Sequence, residues 1–343
     1  MIIKSKIHNY ELKFIKKVSF LKKIVDKNSI YLIDKNVFFL HGLKKLKLKK
    51  KIIVSSSEAS KDFVNLHKII DKLLKYKVTK KNKIVCIGGG SLQDTCAFIA
   101  SIILRGIQWE FYPTSIIAQC DSCIGGKTSI NYRGTKNQLG NFYPPKKIIV
   151  IREFLNSIPK SEIQSGIGEM AHYFYVQGGR SLILFLKLYQ DILDGNLTQL
   201  NKLIKTTLKI KQSFIEKDEF DTGKRLLLNY GHSFGHAIEK YFKNKIKHGL
   251  AVAHGMSISN FVSYKLGFLE KKKYLTLGQQ LEKIYQKKLE KINITKYITI
   301  LKSDKKNVPG IIRVILTRGP GRMFIYSFLD YKKFNLILKE YFN

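Results

Sequence analysis

Short apolar runs separated by amphipathic stretches occupy the first part of the chain. The runs fall at 29–33, 51–54, 83–87 and 109–112. Runs of this length favour β-strands, and the longer segments between them favour helices. Strands that alternate with helices predict a parallel sheet covered by helices. We therefore predict an α/β domain here.

The pattern changes near Pro159 to long segments in which apolar residues recur about every 3.6 positions. Five such segments predict helices, at 163–176, 197–217, 232–243, 248–267 and 277–289. A short strand-like run at 311–316 stands apart from them. A chain of 343 residues is long enough for two domains. We predict an α/β domain over 1–158 and a mainly helical domain over 159–343.

The composition indicates a globular chain, because 44% of its residues are hydrophobic and no low-complexity tract interrupts them. No apolar run reaches the roughly 18 residues that span a bilayer. The segment 1–23 scatters lysines through its apolar residues instead of presenting the hydrophobic block of a signal peptide. We therefore expect a cytoplasmic protein with no membrane partner.

The four cysteines give only a weak indication of function. Of Cys86, Cys96, Cys120 and Cys123, only the last two are close in sequence. One C-x-x-C pair without a second is a weak zinc or redox signal, and reduced thiols are the default inside cells. We predict no disulfide framework.

The chain carries a formal charge of +37, from 62 Lys and Arg against 25 Asp and Glu. Such a bias by itself favours a polyanionic partner such as nucleic acid. The lysines, however, are spread over almost every segment, and aromatic residues are not interleaved with them as in a nucleic-acid module. We expect no specific nucleic-acid binding, although the field favours an anionic substrate.

Four of the eight histidines lie between 232 and 254. In a helix, His232 and His236 project from one face, and imidazole is the commonest protein ligand for zinc-like metals. A half-buried pair without metal is the alternative, since two histidines need a third ligand. Ser233 replaces the Glu of the H-E-x-x-H motif, which disfavours a zinc protease. The histidines indicate a different metal enzyme.

A glycine turn follows the predicted strand at 83–87. Gly88, Gly89 and Gly90 lead through Ser91 to Asp94 and into an apolar, helix-like stretch. Glycines allow the backbone to approach a pyrophosphate, and the start of a helix offers unpaired amide donors. The spacing is not G-x-G-x-x-G, and three glycines could also form a plain tight turn.

The blocks at 113–127 and 136–144 are dense in glycine, amide, cation and carboxylate groups. Lys127, Lys136 and Asn137 could surround a phosphate, with Asp121 binding a hydroxyl or fixing a lysine.

Together, these blocks resemble the 3-dehydroquinate synthase family of sugar phosphate cyclases, over about 31–321. The segment 218–232, Asp-Glu-Phe-Asp-Thr-Gly-Lys-Arg-Leu-Leu-Leu-Asn-Tyr-Gly-His, strengthens the likeness. Glycerol dehydrogenases and iron-containing alcohol dehydrogenases share the fold and the Gly-Gly-Gly-Ser-x-x-Asp motif. The resemblance implies a Rossmann-like NAD-binding α/β domain followed by a mostly helical domain that binds metal and substrate.

The resemblance also implies the roles of individual residues. The metal ligands are Glu169, His232 and His248, holding zinc or alternatively cobalt, whereas His236 binds substrate. The residues expected to contact NAD are Asp34, Asn36, Glu58, Lys61, Gly89, Gly90, Asp94, Thr114, Ser115 and Lys136. Those expected to contact substrate are Asp121, Lys127, Asn137, Lys211, Arg225, Asn229, His236 and one of Lys305 or Lys306. Arg105 matches an arginine that reaches the neighbouring subunit, which implies a homodimer.

The implied substrate is 3-deoxy-D-arabino-heptulosonate 7-phosphate, which the family converts to 3-dehydroquinate and phosphate. NAD oxidises one carbon transiently, phosphate is eliminated, the carbon is reduced again, and an intramolecular aldol reaction closes the ring. The alternatives are a related cyclase acting on an amino analogue or on sedoheptulose 7-phosphate, and an NAD-dependent polyol dehydrogenase.

The match departs from the family at three positions. His172 stands where 3-dehydroquinate synthases carry a substrate-binding lysine, and it could donate a hydrogen bond, act as an additional ligand, or mark a different substrate. Leu250 replaces a usual acidic residue and Ser161 a usual arginine. His172 therefore leaves the alternative substrates open.

Overall fold

A computed structural model describes residues 1–302 and 311–342. The chain forms two compact units, Met1–Ile158 and Pro159–Asn343. No helix within the described residues is both long and apolar enough to cross a membrane.

The first unit is built on a seven-stranded sheet in the order β1-β2-β9-β6-β5-β3-β4. Its strands are β1 (Ile2–Ile3), β2 (Tyr10–Ile15), β3 (Ser29–Asp34), β4 (Lys51–Val54), β5 (Lys83–Gly88), β6 (Gln108–Pro113) and β9 (Lys147–Ile151). A separate hairpin consists of β7 (Ile130–Tyr132) and β8 (Thr135–Leu139), and the helices are α1 (Lys35–Leu40), α2 (Leu66–Lys75) and α3 (Gly90–Ile102). All pairings in the large sheet are parallel except β1 with β2.

The four predicted strands correspond to β3, β4, β5 and β6. In β3 and β5, consecutive residues are buried and so both faces are covered, as at Tyr31 and Leu32 and at Val85 and Cys86, which explains why these runs are continuously apolar. The strands β2 and β9 were not predicted. The alternating charges of β2 weaken its apolar signal, whereas β9 is an apolar run shortly after the predicted binding block at 136–144.

The second unit is mainly helical. Its helices are α4 (Lys160–Gln177), α5 (Gly179–Leu193), α6 (Leu200–Ile215), α7 (His232–Tyr241), α8 (His248–Lys265), α9 (Lys271–Tyr285), α10 (Ile294–Lys302) and α11 (Tyr331–Phe342). An antiparallel hairpin of β10 (Ile312–Thr317) and β11 (Met323–Phe328) completes it. The helix predicted at 277–289 corresponds to α9. It begins earlier than predicted, because three lysines at its start obscure the apolar pattern. It also ends earlier, because Gln286 has a left-handed backbone conformation, with φ +58°.

The helix α8 is the central element of this unit, since all but its ends is buried. It packs on α4, α7 and α9. Glycines bring these helices unusually close together. A Cβ added at Gly249 would lie 1.7 Å from the Ser165 carbonyl oxygen, and one at Gly255 would lie 1.9 Å from the Gly231 carbonyl oxygen. No other residue type fits at these two crossings without displacing backbone.

Candidate active site

Three helices of the second unit each bring one metal-capable side chain to a common point. Glu169 lies in the middle of α4 and is 2% exposed, whereas His232 and His248 begin α7 and α8. Glu169 Oε1 is 3.7 Å from His232 Nε2, and Glu169 Oε2 is 3.3 Å from His248 Nε2. One ligand atom of each residue lies within 4.8 Å of the other two.

Glycines next to these residues create the cluster. Gly168 precedes Glu169, and a Cβ there would lie 2.2 Å from the carbonyl oxygen of Gly249, which follows His248. Gly231 precedes His232 and starts α7 in the left-handed region, at φ +81°. The close crossings are therefore located where the three polar side chains must meet.

The electrostatics of the cluster keep its carboxylate ionised. Burial acts to raise the pKa of Glu169, but the imidazoles of His248, His172 and His232 outweigh it and hold that pKa well below its ordinary value. Burial opposes the charged form of His248, yet the carboxylates of Glu169 and Glu239 raise its pKa well above the usual range. The carboxylate is thus ionised and ready to act as a ligand.

The geometry also fits a metal ion. Glu169 Oε2 accepts no hydrogen bond from the residues that the structure describes. In a tetrahedral site with metal–ligand distances of about 2.1 Å, neighbouring ligand atoms lie about 3.4 Å apart. The separation of 3.3 Å between Glu169 Oε2 and His248 Nε2 is close to that value, and the other oxygen of the same carboxylate lies 3.7 Å from His232 Nε2.

Two further histidines lie beside the cluster. The ring centroid of His236 is 5.5 Å from that of His232 and 5.6 Å from that of His248. His172 is 1% exposed, its Nδ1 lies 3.9 Å from Glu169 Oε1, and its ring centroid lies 4.7 Å from that of His232. Four imidazoles therefore gather around one buried carboxylate.

The other predicted substrate residues of this unit are placed as follows. Lys211 on α6 and Arg225 in the 224–229 turn are buried, and the Asn229 amide donates to the Leu226 carbonyl at 3.0 Å. An Arg225 guanidinium nitrogen donates to the Glu219 carbonyl. Lys305 and Lys306 lie outside the described residues.

In the first unit, the predicted nucleotide-binding residues lie at the carboxyl edge of the sheet. The glycine turn joins β5 to α3, and Thr114 at the end of β6 donates its N–H to the Gly88 carbonyl at 2.9 Å. A Cβ at Gly89 would approach the Ser115 hydroxyl to 3.4 Å. This is the strand–turn–helix arrangement that the sequence predicts, at the edge where open α/β sheets bind ligands.

At the same edge, Asp34 ends β3 and caps α1. Its carboxylate accepts the N–H of Asn36 at 2.9 Å and of Val37 at 3.1 Å, and the Ser56 hydroxyl donates to it. An aspartate in this position satisfies helix-end donors that would otherwise be unpaired.

Lys61 is the centre of a polar network. It is 4% exposed, and its Nζ lies 2.8 Å from Asp94 Oδ2, 2.8 Å from Asn137 Oδ1 and 3.6 Å from Glu58 Oε1. Burial raises the pKa of Asp94 to about 6, against the opposing effect of Lys61. Without the family resemblance, Glu58 and Lys61 would be taken for a solvated helix start, but Lys61 is buried and paired.

The remaining predicted residues of this unit are less enclosed. Asp121 is half-buried in a π-helical turn, Ala118–Ser122, whereas Lys127, Lys136 and Arg105 are exposed. Arg105 has a left-handed backbone conformation, with φ +59°.

Comparison with known proteins identifies the family of this chain. The model of the 3-dehydroquinate synthase N-terminal region matches residues 51–165, and that of the C-terminal region matches 166–307. The chain is 37% identical over 297 residues to a 3-dehydroquinate synthase of Dictyoglomus turgidum, covering 84% of this chain and 82% of that one. The chain belongs to the 3-dehydroquinate synthase family. A family member from Campylobacter hominis is 33% identical, with 82% of each chain covered.

Solved structures show the same fold. A 2-deoxy-scyllo-inosose synthase, complexed with carbaglucose-6-phosphate, NAD⁺ and Co²⁺, has a TM-score of 0.86 at 21% identity and covers 99% of this chain and 98% of that one. The 2-epi-5-epi-valiolone synthase of Streptomyces hygroscopicus, with NAD⁺ and Zn²⁺ bound, has a TM-score of 0.86 at 19% identity, with 96% of each chain covered. The predicted fold class is confirmed.

Several residues that were not predicted from the sequence make hydrogen bonds to the segments that carry the predicted site residues. In the first unit, Gln93 and Ser122 exchange two hydrogen bonds of 2.6 Å and so tie the π-helical turn with Asp121 to α3. In the second unit, the Asp218 carboxylate accepts the backbone N–H groups of Gly223 and Arg225. No local sequence pattern predicts these contacts.

Proposed function

We propose that this chain is a 3-dehydroquinate synthase, which converts 3-deoxy-D-arabino-heptulosonate 7-phosphate into 3-dehydroquinate and phosphate. The observation that supports this proposal most is the convergence of Glu169, His232 and His248 around a buried carboxylate in a member of this family. Named 3-dehydroquinate synthases of at least 31% identity over most of the chain favour the same reaction.

In this proposal, Glu169, His232 and His248 hold a divalent metal, Zn²⁺ or alternatively Co²⁺. Two imidazoles and one carboxylate form a catalytic set, because such sites keep positions open for substrate. When bound, NAD⁺ supplies a transient oxidation and re-reduction of one substrate carbon, and the metal supplies a Lewis acid that polarises substrate hydroxyls. Neighbouring structures contain NAD⁺ with Co²⁺ or Zn²⁺, which supports both groups.

We assign NAD to the carboxyl edge of the sheet in the first unit. The glycine turn gives a dinucleotide phosphate access to the backbone at the start of α3. The residues proposed to surround NAD are Asp34, Asn36, Glu58, Lys61, Gly89, Gly90, Asp94, Thr114, Ser115 and Lys136.

The remaining assignments concern the anionic substrate. Arg225 and Lys211 bind its carboxylate, since a planar guanidinium matches a carboxylate in geometry. Lys127 and Asn137 bind phosphate, and His236 binds a hydroxyl close to the metal. The remaining residues that we propose to contact the substrate are Asp121, Asn229 and His172.

We also propose a homodimer in which Arg105 acts on the neighbouring subunit. The support is its exposure at the end of α3, where Leu104, Arg105 and Gly106 all have positive φ. Light scattering of the purified protein tests the dimer, and a monomeric mass would contradict it.

The substrate test compares three sugar phosphates with the metal- and NAD-loaded protein. We expect phosphate release from the heptulosonate phosphate, with no bulk NADH because the cofactor is regenerated. Release from only sedoheptulose 7-phosphate or the amino analogue would assign a different cyclase. Stoichiometric NADH from a polyol would assign a dehydrogenase.

A second candidate, a cyclase for another sugar phosphate, is favoured by one observation. His172 is buried, with its Nδ1 3.9 Å from Glu169 Oε1, so it adds an imidazole next to the proposed metal ligands. The variant His172→Lys separates the two functions. Better use of the heptulosonate phosphate indicates that His172 is a weaker contact for the same substrate, whereas unchanged kinetics would remove it as a specificity contact.

A further inference from the structure

The helix α7 carries three polar residues at helical spacing, His232, His236 and Glu239. Residues at i, i+4 and i+7 share one face of a helix. The side chain of Glu239 is 13% exposed, and its Oε2 lies 3.1 Å from His248 Nδ1. Neither the family resemblance nor the comparisons assign a role to Glu239.

His248 has a carboxylate on each side of its ring. Its Nε2 lies 3.3 Å from Glu169 Oε2, and its Nδ1 lies 3.1 Å from Glu239 Oε2. A neutral imidazole has one N–H and one lone pair. If Nδ1 donates to Glu239, the lone pair is fixed on Nε2, where it points toward Glu169.

The second histidine proposed as a ligand, His232, has a different hydrogen-bond partner at its Nδ1. Its Nδ1 lies 3.4 Å from the backbone carbonyl of Tyr230. A carboxylate is charged and accepts a stronger hydrogen bond than a carbonyl, and it makes the opposite ring nitrogen a better electron-pair donor. The two imidazoles are therefore oriented by acceptors of different strength.

We propose that Glu239 is a positioning residue of the metal site. Its carboxylate accepts the Nδ1–H of His248, fixes the tautomer of that ring, and directs Nε2 at the cation shared with Glu169. This inference rests on the proposed metal site. The helix α7 then supplies a ligand in His232 and the orienting group of the second ligand in Glu239.

The test is a titration of the metal-free protein with Zn²⁺ in competition with a chelator, at alkaline pH, where protons compete least for His248. We expect Glu239→Ala to bind Zn²⁺ about 10–100-fold more weakly than wild type. Glu239→Gln falls in between, because the amide oxygen still accepts the hydrogen bond but lacks the charge. The matched control is Glu270→Gln, whose carboxylate is exposed and pairs with Lys273, and it leaves the affinity unchanged.

A spectroscopic signature separates positioning from simple destabilisation. In Co²⁺-loaded protein, Glu239→Ala changes the visible ligand-field absorption, whereas Glu270→Gln does not.

Three outcomes are decisive. A Zn²⁺ affinity of Glu239→Ala within twofold of wild type would overturn the inference and leave the metal site intact. Two tightly bound ions per wild-type chain would also overturn it, because Glu239 would then act as a ligand together with His236 and His248. Loss of the proposed metal site itself is recognised separately, as absent Zn²⁺ binding in wild type or unchanged binding in His248→Ala.

Discussion

Two clusters of buried charge, one in each unit of the described chain, are compensated in different ways. In the first unit, the ammonium of Lys61 has two close partners at 2.8 Å, Asp94 and Asn137, so its charge is compensated by the protein itself. In the second unit, the carboxylate of Glu169 is 2% exposed and lies among imidazoles, and its Oε2 accepts no hydrogen bond from the described residues.

This difference shows where each cluster can take a ligand. A buried charge must be paired, and removal of one partner typically costs about 3–5 kcal/mol. Lys61 already has its partners in Asp94 and Asn137, so a ligand that binds to it must replace existing contacts within the protein. At the Glu169 cluster, Oε2 makes no hydrogen bond within the described residues, so a cation that displaces the proton of His248 adds bonds that the protein alone does not make.

The largest effect is expected from removing a proposed metal ligand. His248→Ala loses metal and activity together, because the cation retains only Glu169 and His232. His236→Ala keeps the metal and loses turnover. Metal content by atomic absorption and initial rates of phosphate release measure the two effects, and loss of metal in both variants would contradict their separate roles.

A Cβ at the crossing of α4 and α8 should disrupt the cluster without removing any of its polar side chains. Gly249→Ala overlaps the Ser165 carbonyl, and we expect unfolding to be easier by about 3 kcal/mol, with weakened metal binding. The control is Gly278→Ala on α9, where nothing lies within 4 Å, and it should gain about 0.5–1 kcal/mol. Denaturant unfolding of both variants measures the difference, and equal stabilities would show that the crossing tolerates a side chain.

The second unit should lose stability in acid through His254. Burial lowers the pKa of His254 from 6.5 to about 4, and its ring stacks on Tyr285. Between pH 4 and 6.5, the imidazole of His254 is protonated in the unfolded chain but neutral in the folded protein. Its free energy of unfolding therefore falls as pH drops from 6.5 to 4, by about 3 kcal/mol. His254→Phe should remove this loss in a pH series of unfolding curves, and an unchanged slope would contradict the assignment.

The first unit should respond to pH in the opposite direction. Burial raises the pKa of Asp94 from 3.8 to about 6, so the folded protein holds a proton that the unfolded chain has released. The free energy of unfolding then falls as pH rises from 4 to 6, by about 2 kcal/mol. Asp94→Asn should flatten this dependence in the same pH series. A variant that retains the wild-type slope would show that Asp94 titrates normally.

Much of the fold follows from local pattern. The strands β3 to β6 are short apolar runs, and α6 and α7 each have one apolar face, so both were predictable. The missed elements differ: β2 is charged and the start of α9 is rich in lysine, so their patterns are weak, whereas the apolar run of β9 and the apolar face of α5 were open to prediction.

The site was predictable only in part. The spacing of His232 and His236 points to a metal, but Glu169 came from the family resemblance, because its helix shows no sign of a ligand by itself. The pairing of Lys61 with Asn137 joins residues 76 positions apart. The contact of Glu239 with His248 depends on how closely α7 and α8 cross. Both contacts arise from tertiary packing, which local patterns do not encode.

The short helix α7 also limits how this protein can change in length during evolution. An α-helix turns by about 100° per residue. One residue inserted between His232 and Glu239 would therefore rotate every later side chain by that angle and move Glu239 away from His248. Insertions and deletions in related chains should be absent from His232–Tyr241 and concentrate in the connections on either side of it.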